Sequence, residues 1–213
     1  MIEKYELKLL ELTDKLNSYF DDQKDFIKCE PGCGICCSNG YYPLFELEYK
    51  YIKKGFELNF SKEKIKALQD KACQIYKDRY NFLKNDDNIH NFSYVCPFLE
   101  NNMCSNYLHR PIICRAYGLI SRDAKNPETK VHFPHCVRLG LNYSDVWSFE
   151  EKSFSEDKMK ALGIKTEPKF YDVSYANLIE PFRDLDLGDV RMIFEWIIMD
   201  MPDYEAVTVK LKA

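Results

Sequence analysis

The segment CEPGCGICC, residues 29–37, carries four cysteines within nine positions. A proline and two glycines separate these cysteines, and such residues let a backbone loop fold tightly around one point. A helix would distribute the same thiols around its circumference, and a hydrophobic core has no need of so many. A thiophilic metal does need several thiolates within bonding distance. The segment therefore predicts a metal-binding loop.

The composition favours a globular protein that stays away from nucleic acids and membranes. The chain has 213 residues, 46% of them hydrophobic, and a net charge of −4 without a strongly basic block. Its first residues are charged throughout, so we expect no signal peptide, and no apolar run is long enough to span a bilayer. We expect a cytoplasmic protein whose nine cysteines stay reduced and serve metal rather than disulfides. A protein partner is compatible with this composition.

Apolar periodicity predicts three helices in the first part of the chain. Residues 2–20 repeat apolar side chains at steps of three and four, which is typical of an amphipathic helix. A second helix is predicted over residues 45–54, with Gly55 as its C-terminal stop. A third is predicted over residues 62–83, with Ser61 as its N-cap.

Shorter elements are predicted around the second group of cysteines. The polar residues 100–102 form a turn between two short apolar pieces, which predicts a hairpin that brings Cys96 and Cys104 together. Pro111 suits the first position of a short helix that carries Cys114. These elements would place three thiols on closely spaced turns.

Short helices are also predicted in the remainder of the chain. Residues 125–130 are predicted as loop and residues 131–133 as a short strand. A helix over residues 155–162 is followed by a last helix that Asp189 caps, apolar on nearly every side, which ends before Pro202. We expect a mainly α fold with irregular metal-stapled loops and a few short strands. The expected organisation is a cysteine-cluster domain over residues 1–140 and a helical extension over residues 141–213, packed on the same domain.

Eight of the nine cysteines are candidate metal ligands. Cys73 lies alone on the third predicted helix, and we interpret it as an ordinary packed thiol. The spacing of Cys33 and Cys36 is that of a knuckle that clamps one metal from both ends of a turn. The candidates are Cys29, Cys33, Cys36, Cys37, Cys96, Cys104, Cys114 and Cys136.

The adjacent pair Cys36 and Cys37 limits how these thiols can be shared. Successive side chains of extended backbone point in opposite directions, so the pair is not expected to bind one tetrahedral ion together. Either two centres lie side by side, or Cys37 stands off the metal. We predict one centre that takes at least one ligand from the first loop and one from residues 96–136, with two separate centres as the alternative.

The cysteine pattern resembles the YkgJ-type CxxCxxCC family, a zinc- or iron-chelating domain. CEPGCGICC matches the opening loop of that family, PLFELEYKYI the helix after it, and CPFLENNMCSNYLHRPIICRAYG its second block. The resemblance covers residues 26–136 and implies a zinc ion or an iron–sulfur cluster as cofactor. Some relatives act as flagellin lysine methylases, but no motif here carries that activity over.

The leading hypothesis is a metal-binding protein with an iron–sulfur centre used in electron transfer or in a modification reaction. Eight thiolates suit two closed zinc sites, two four-thiolate clusters, or one cluster with four structural thiols. Two features favour an iron–sulfur cluster. Aromatic residues near the cysteines would shield it from water, and cations beside the ligands, such as Lys28 and Arg115, would offset the negative charge of the thiolates. A zinc-stapled binding module without catalysis is the alternative, and a protein lysine methylase the second. His135 is a substitute ligand for zinc.

Further enzyme classes have weaker support in the sequence. The spacing Cys29-x₃-Cys33-x₂-Cys36 is that of the radical S-adenosylmethionine motif. The chain lacks the alternating strands and helices that would build a partial barrel around such a cluster. No nucleophile–base motif, phosphate loop or dinucleotide fingerprint is present in the sequence.

Overall fold

A computed structural model describes residues 1–30, 32–85, 88, 91–122 and 131–212 of the chain. The fold over these residues is mainly α, with 54% helix and small two-stranded sheets, which confirms the predicted fold class. The chain forms two compact units. The first unit contains residues 1–6, 37–111 and 185–213, and the second contains residues 7–36 and 112–184. The predicted boundary after residue 140 stays a prediction.

Helices are interspersed with short strands and 3₁₀ turns along the described part of the chain. The helices are α1 Ile2–Asp22, α2 Ile35–Ser38, α3 Glu46–Asn59, α4 Lys62–Leu83, α5 Ile112–Ala116, α6 Glu156–Ala161, α7 Tyr175–Leu178, α8 Ile193–Met199 and α9 Tyr204–Lys212. The strands are β1 Pro43–Phe45, β2 Leu99–Glu100, β3 Met103–Cys104, β4 Trp147–Ser148, β5 Ser153–Phe154 and β6 Val190–Met192. Single 3₁₀ turns lie at Lys24–Phe26, Tyr107–His109, His135–Leu139 and Glu180–Phe182.

The long N-terminal helices follow their sequence patterns. In α1 the buried residues Tyr5, Leu9, Leu12 and Leu16 recur at steps of four, three and four, which confirms the predicted helix. In α4 the Ser61 hydroxyl accepts a hydrogen bond from the Lys64 backbone N–H at 3.3 Å, so its predicted N-cap is also confirmed.

Gly55 does not end α3, and that part of the prediction is wrong. The helix continues to Asn59, and Gly55 is a buried residue inside it. Its role is to allow close packing within the first unit, not to end the helix. A Cβ at this position would lie 2.3 Å from Cγ of His109 and 2.6 Å from Oδ1 of Asn106. The missing side chain therefore lets the 3₁₀ turn at Tyr107–His109 lie directly on the helix.

The end of the chain differs from its prediction at one helix boundary. Residues 190–192 form strand β6, which pairs antiparallel with β1, so Asp189 does not cap a helix. The Asp189 carbonyl instead accepts from the Glu46 N–H at 2.9 Å. Helix α8 begins at Ile193, where Glu195 Oε2 accepts from the Met192 N–H at 2.9 Å. Its burial on nearly every side is confirmed, whereas α9 was not predicted.

The predicted hairpin of the first unit is confirmed. Strands β2 and β3 pair antiparallel, with Leu99 opposite Cys104. Asn101 and Asn102 make the turn with φ angles of 49° and 60°, a left-handed conformation that asparagine tolerates better than most residues. The predicted helix break after Leu83 is also found, although Asp86 and Asp87 lie outside the described residues.

The second unit is organised around an aromatic core. Helix α6 and its Gly163 end, with φ +70°, confirm the helix predicted near residues 155–162. The predicted strand at residues 131–133 forms only one bridge, between His132 and Ser121, and the predicted loop at 125–130 lies outside the described residues. The core residues are Ile120, Val137, Tyr143, Val146, Trp147, Phe154 and Met159.

Candidate metal centre

The eight candidate ligands divide between the two units. All nine cysteines are among the described residues, and none is in a disulfide. The second unit contains Cys29, Cys33, Cys36, Cys114 and Cys136, and the first unit contains Cys37, Cys96 and Cys104. Each unit therefore brings together thiols of the first loop and thiols of the later cysteine region.

The first loop turns through two left-handed glycines. Gly32 has φ +94° and Gly34 has φ +60°, conformations that cost a residue with a Cβ about 1–2 kcal/mol. The Cys33 N–H donates to the Glu30 carbonyl at 3.1 Å, which closes the turn. Pro31 was predicted to assist this turn and lies outside the described residues.

Cys36 and Cys37 lie on a helical turn rather than on extended backbone. Both belong to α2, so the prediction of opposite side-chain directions from an extended strand is wrong. Successive residues of a helix diverge by about 100°, because a turn takes about 3.6 residues. The two thiols still point in different directions, and the division between the units falls between them.

Three thiols of the first loop lie close enough to Cys136 to influence it electrostatically. Cys136 is buried on the 3₁₀ turn at His135–Leu139. Burial raises the pKa of this thiol to about 11, and the negative charges of Cys29, Cys33 and Cys36 act in the same direction. The first loop and the turn that carries Cys136 thus form one thiol cluster.

Tyr117 lies beside the same cluster. Its pKa is raised, first by burial and then by the thiolates of Cys136, Cys36 and Cys114. Its hydroxyl oxygen accepts a hydrogen bond from the His135 backbone N–H at 3.3 Å. Because its oxygen accepts this bond, the phenolic O–H can act as a donor, and hydrogen bonds to sulfur tune metal–thiolate sites.

Asn142 holds the two backbone segments that lead to the cluster, a role that no sequence motif indicates. The side chain is fully buried. Its Oδ1 accepts from the Lys28 backbone N–H at 2.8 Å, while its Nδ2 donates to the Gly118 carbonyl at 3.0 Å. One amide therefore holds the residue before Cys29 and the residue after Tyr117.

The cations proposed to offset thiolate charge have other partners. The Lys28 ammonium forms an ion pair with Asp145 at 2.5 Å. The Arg115 guanidinium donates to the Thr13 hydroxyl at 3.1 Å and is buried, so it ties α5 to α1 within the second unit. Thr13 had no motif to mark it in the sequence.

The described histidines lie in different surroundings. His135 is exposed, and its backbone N–H donates to the Tyr117 hydroxyl. The ring of His109 lies 4.9 Å from that of Tyr51, and His132 takes part in the bridge to Ser121. His90 lies outside the described residues.

In the first unit, the segments that carry the cysteines make their own backbone hydrogen bonds. The Cys96 N–H donates to the Cys37 carbonyl at 2.7 Å, and Cys104 lies in strand β3. Cys73 is half-buried on α4, with its sulfur 3.9 Å from Sδ of Met201. This contact fits the packed thiol that the sequence predicted, while its exclusion from metal binding stays a prediction.

The donor set suits a thiophilic metal. Within the described ranges, no three Cys, His, Asp or Glu side chains are already arranged to hold a metal ion. Burial and the charges of Cys29, Cys33 and Cys36 nevertheless raise the pKa of the Cys136 thiol, and a cation beside Cys136 would offset that repulsion and favour its thiolate. The chemistry of the cluster therefore fits metal binding.

The comparisons with known proteins give one family match. A family model, CxxCxxCC, described as "Putative zinc- or iron-chelating domain", matches residues 28–137, slightly more than half of the chain. Its two metals agree with the predicted cofactors. Searches of curated proteins and of solved structures gave no match. Among the described helices, none combines the length and apolarity that crossing a membrane requires. The chain belongs to the CxxCxxCC family of zinc- or iron-chelating domains.

Proposed function

We propose that the protein holds a metal centre on the thiolates of Cys29, Cys33, Cys36 and Cys136. The observation that carries the proposal is the electrostatic influence of the three first-loop thiolates on Cys136. Four thiolates complete either a closed zinc site or a four-thiolate iron–sulfur cluster. Cys114, which acts with Cys36 and Cys136 on the pKa of Tyr117, is a further candidate ligand in the same unit.

An iron–sulfur cluster is the occupant that we propose first. Apolar residues on both approaches to the thiols pack against the core of the second unit: Phe26 and Ile27 before the first loop, and Phe133 before Cys136. Apolar residues beside a cluster limit water access on their side and help to set its potential, while Cys29 stays exposed. The bound cluster would supply electron transfer, either alone or as part of a modification reaction.

The residues of the chain have separate roles in this proposal. The four cysteines bind the centre, and Asn142 orients the two backbone segments that lead to it. Tyr117 donates its phenolic proton toward sulfur, while the His135 N–H holds its oxygen. The thiols must stay reduced to bind, so the proposal also assigns the protein to the cytoplasm.

Anaerobic purification followed by metal and sulfide analysis tests the proposal. We expect iron and acid-labile sulfide in the isolated protein, with a broad visible absorption that bleaches on reduction. Zinc without sulfide or colour would favour the structural alternative, in which the ion staples irregular loops and has no redox role. Protein that binds neither metal after reconstitution contradicts the proposal.

Paired variants identify the ligands. Cys33→Ser should remove the cluster, because it takes one thiolate from the set. Cys73→Ser is the matched control, since it makes the same atomic change at a half-buried thiol on α4. Equal metal loss in both variants would show that loss reflects general destabilisation rather than ligation.

A further inference from the structure

Asn39 and Gly40 form the one Asn-Gly pair of the sequence, directly after helix α2. Such a pair can react without an enzyme, because glycine has no Cβ to keep its backbone nitrogen away from the preceding side chain. Asn39 is exposed, whereas Gly40 is buried. The side chain that would react is therefore open to water, while the nitrogen that would attack it belongs to packed backbone.

The reaction of an Asn-Gly pair is a deamidation whose atoms balance with water alone. The Gly40 backbone nitrogen attacks Cγ of Asn39, a C–N bond forms, and the side-chain amide leaves as ammonia with the proton of the Gly40 N–H. Water then opens the resulting succinimide ring at either carbonyl. One opening gives aspartate. The other gives isoaspartate, in which the backbone runs through the former side chain and is longer by one carbon.

Backbone pairing in the first unit restrains the nitrogen that would attack. The Gly40 N–H donates to the Tyr94 carbonyl at 2.9 Å, and the Tyr94 N–H donates to the Gly40 carbonyl at 3.3 Å. The Gly40 nitrogen must give up its hydrogen bond before it can lose its proton and turn toward Cγ of Asn39. The folded state therefore opposes the reaction.

The same packing requires the glycine that makes the pair reactive. A Cβ at position 40 would lie 1.6 Å from Cε2 of Tyr42, far inside contact distance. The Tyr42 ring is buried, and its centroid lies 6.1 Å from that of Tyr94 in an edge-to-face arrangement. The ring of Tyr42 thus packs on both partners of the pairing, and no residue with a Cβ fits in place of Gly40.

We propose that Asn39 is a deamidation site that the pairing of Gly40 with Tyr94 holds in check. Local opening of this pairing releases the Gly40 nitrogen, so the rate of deamidation follows the frequency of opening. The isoaspartyl product prevents closure in the same register, because the added carbon displaces Gly40 from Tyr94. The hydrogen bond from the Cys96 N–H to the Cys37 carbonyl, at 2.7 Å, continues this pairing and is weakened with it. The site is a permanent record of opening in the first unit.

Incubation of the full-length protein with and without denaturant tests the proposal. Both samples are kept reduced at the same mildly alkaline pH and are then digested with trypsin for mass spectrometry. The peptide of residues 29–50 contains Asn39 as its only side-chain amide, so its mass increase reports this residue alone. We expect Asn39 to deamidate at least about tenfold more slowly in the native protein, because the reaction waits for local opening. Equal rates in the two samples, or no reaction in denaturant, overturn the proposal.

A variant tests whether the packing around Gly40 is the restraint. Tyr42→Leu should accelerate deamidation of Asn39 in the native protein and leave its rate in denaturant unchanged. Phe60→Leu, an aromatic replacement elsewhere in the first unit, is the control and should change neither rate. If Tyr42→Leu does not fold, amide exchange of the wild-type protein gives the same information. A Gly40 amide that exchanges as fast as in the denatured chain contradicts the proposed restraint.

The effect of the product on the backbone is tested separately. The isoaspartyl form is isolated from aged protein and compared with Asn39→Asp, which has the same charge without the additional carbon. We expect amide exchange at Gly40 and Cys96 to be faster in the isoaspartyl form than in the variant. Equal exchange in both would show that the longer backbone does not open the pairing, and the proposed record of opening would be wrong.

Discussion

The two groups of thiols are supported by different kinds of backbone. In the first unit, Cys96 and Cys104 lie in a turn and a strand whose hydrogen bonds are made without any metal. In the second unit, Cys29 and Cys33 lie in a loop that contains two left-handed glycines and the hydrogen bond from the Cys33 N–H to the Glu30 carbonyl. From this difference we expect a bound metal to contribute more to the folding of the first loop than to the folding of the hairpin.

The strongest test of this comparison removes a buried ligand from the irregular group. Cys136→Ser should lose the metal of the second unit, because it deletes the one buried thiolate of the four. We expect metal affinity to fall by more than the roughly 10–100-fold that loss of an outer group costs. Metal analysis and competition with a chelator measure this. Unchanged affinity would mean that Cys114 takes the place of Cys136 or that Cys136 is not a ligand.

Metal removal should affect the two groups unequally. On chelation, amide hydrogen exchange in residues 32–37 should accelerate, since metal binding contributes to the folding of this loop. The Cys96 amide should stay protected, because its hydrogen bond to the Cys37 carbonyl does not involve the ion. Helices α1 and α8 should also keep most of their protection. Equal acceleration at Cys33 and Cys96 would remove the distinction between the groups.

Substitutions in the turns of the first loop and of the hairpin should change stability by different, smaller amounts. Gly32→Ala should cost about 1–2 kcal/mol of stability in the metal-bound protein, because φ is +94° there. A Cβ at Gly32 meets nothing within 4 Å, so the cost comes from the backbone alone. Asn102→Gly, in the hairpin, should change stability by no more than about 0.5 kcal/mol. Denaturant unfolding of both variants measures the contrast.

The smallest expected effect concerns pH. The Tyr171 hydroxyl and then the Lys169 ammonium donate to Asp22 and lower the pKa of its carboxyl below 3.8. A lowered pKa in the folded state stabilises it above pH 3.8, and this contribution is lost as the pH falls through the folded pKa. Tyr171→Phe should therefore weaken stability at pH 6 and make little difference at pH 2. An equal loss at both values would point to packing against Tyr19 instead.

The sequence predicted the elements whose signals are local. The periodicity of α1, the Ser61 cap of α4 and the asparagine turn of the hairpin all act within a few residues. The predictions that Gly55 ends a helix and that Asp189 caps one were wrong, because the roles of both residues depend on partners far away in the sequence. His109 lies against Gly55, and the Asp189 carbonyl accepts a hydrogen bond from the Glu46 N–H. Such contacts leave no periodic trace in a single sequence.

The candidate site shows the same limit. The cysteine spacing sufficed to propose eight thiols as ligands, because metal ligation demands a particular residue type, and that assignment stays a prediction. Their division between two units was not predictable, since it depends on which segments fold together. Asn142 was missed for a similar reason, because a lone asparagine between Leu141 and Tyr143 has no distinctive spacing.

The Asn142 contacts determine how long a segment must be transferred between genes for the domain to keep its structure. The family match ends at residue 137, yet Asn142 holds Lys28 and Gly118, and the Tyr143 N–H donates to the Phe26 carbonyl at 2.8 Å. A gene fragment trimmed to the matched residues would encode every candidate thiol but not the side chain that positions their backbone. Recombination at that boundary would transfer the recognisable signature without its support. The segment that can move between proteins as a working module is therefore longer than the pattern by which the family is recognised.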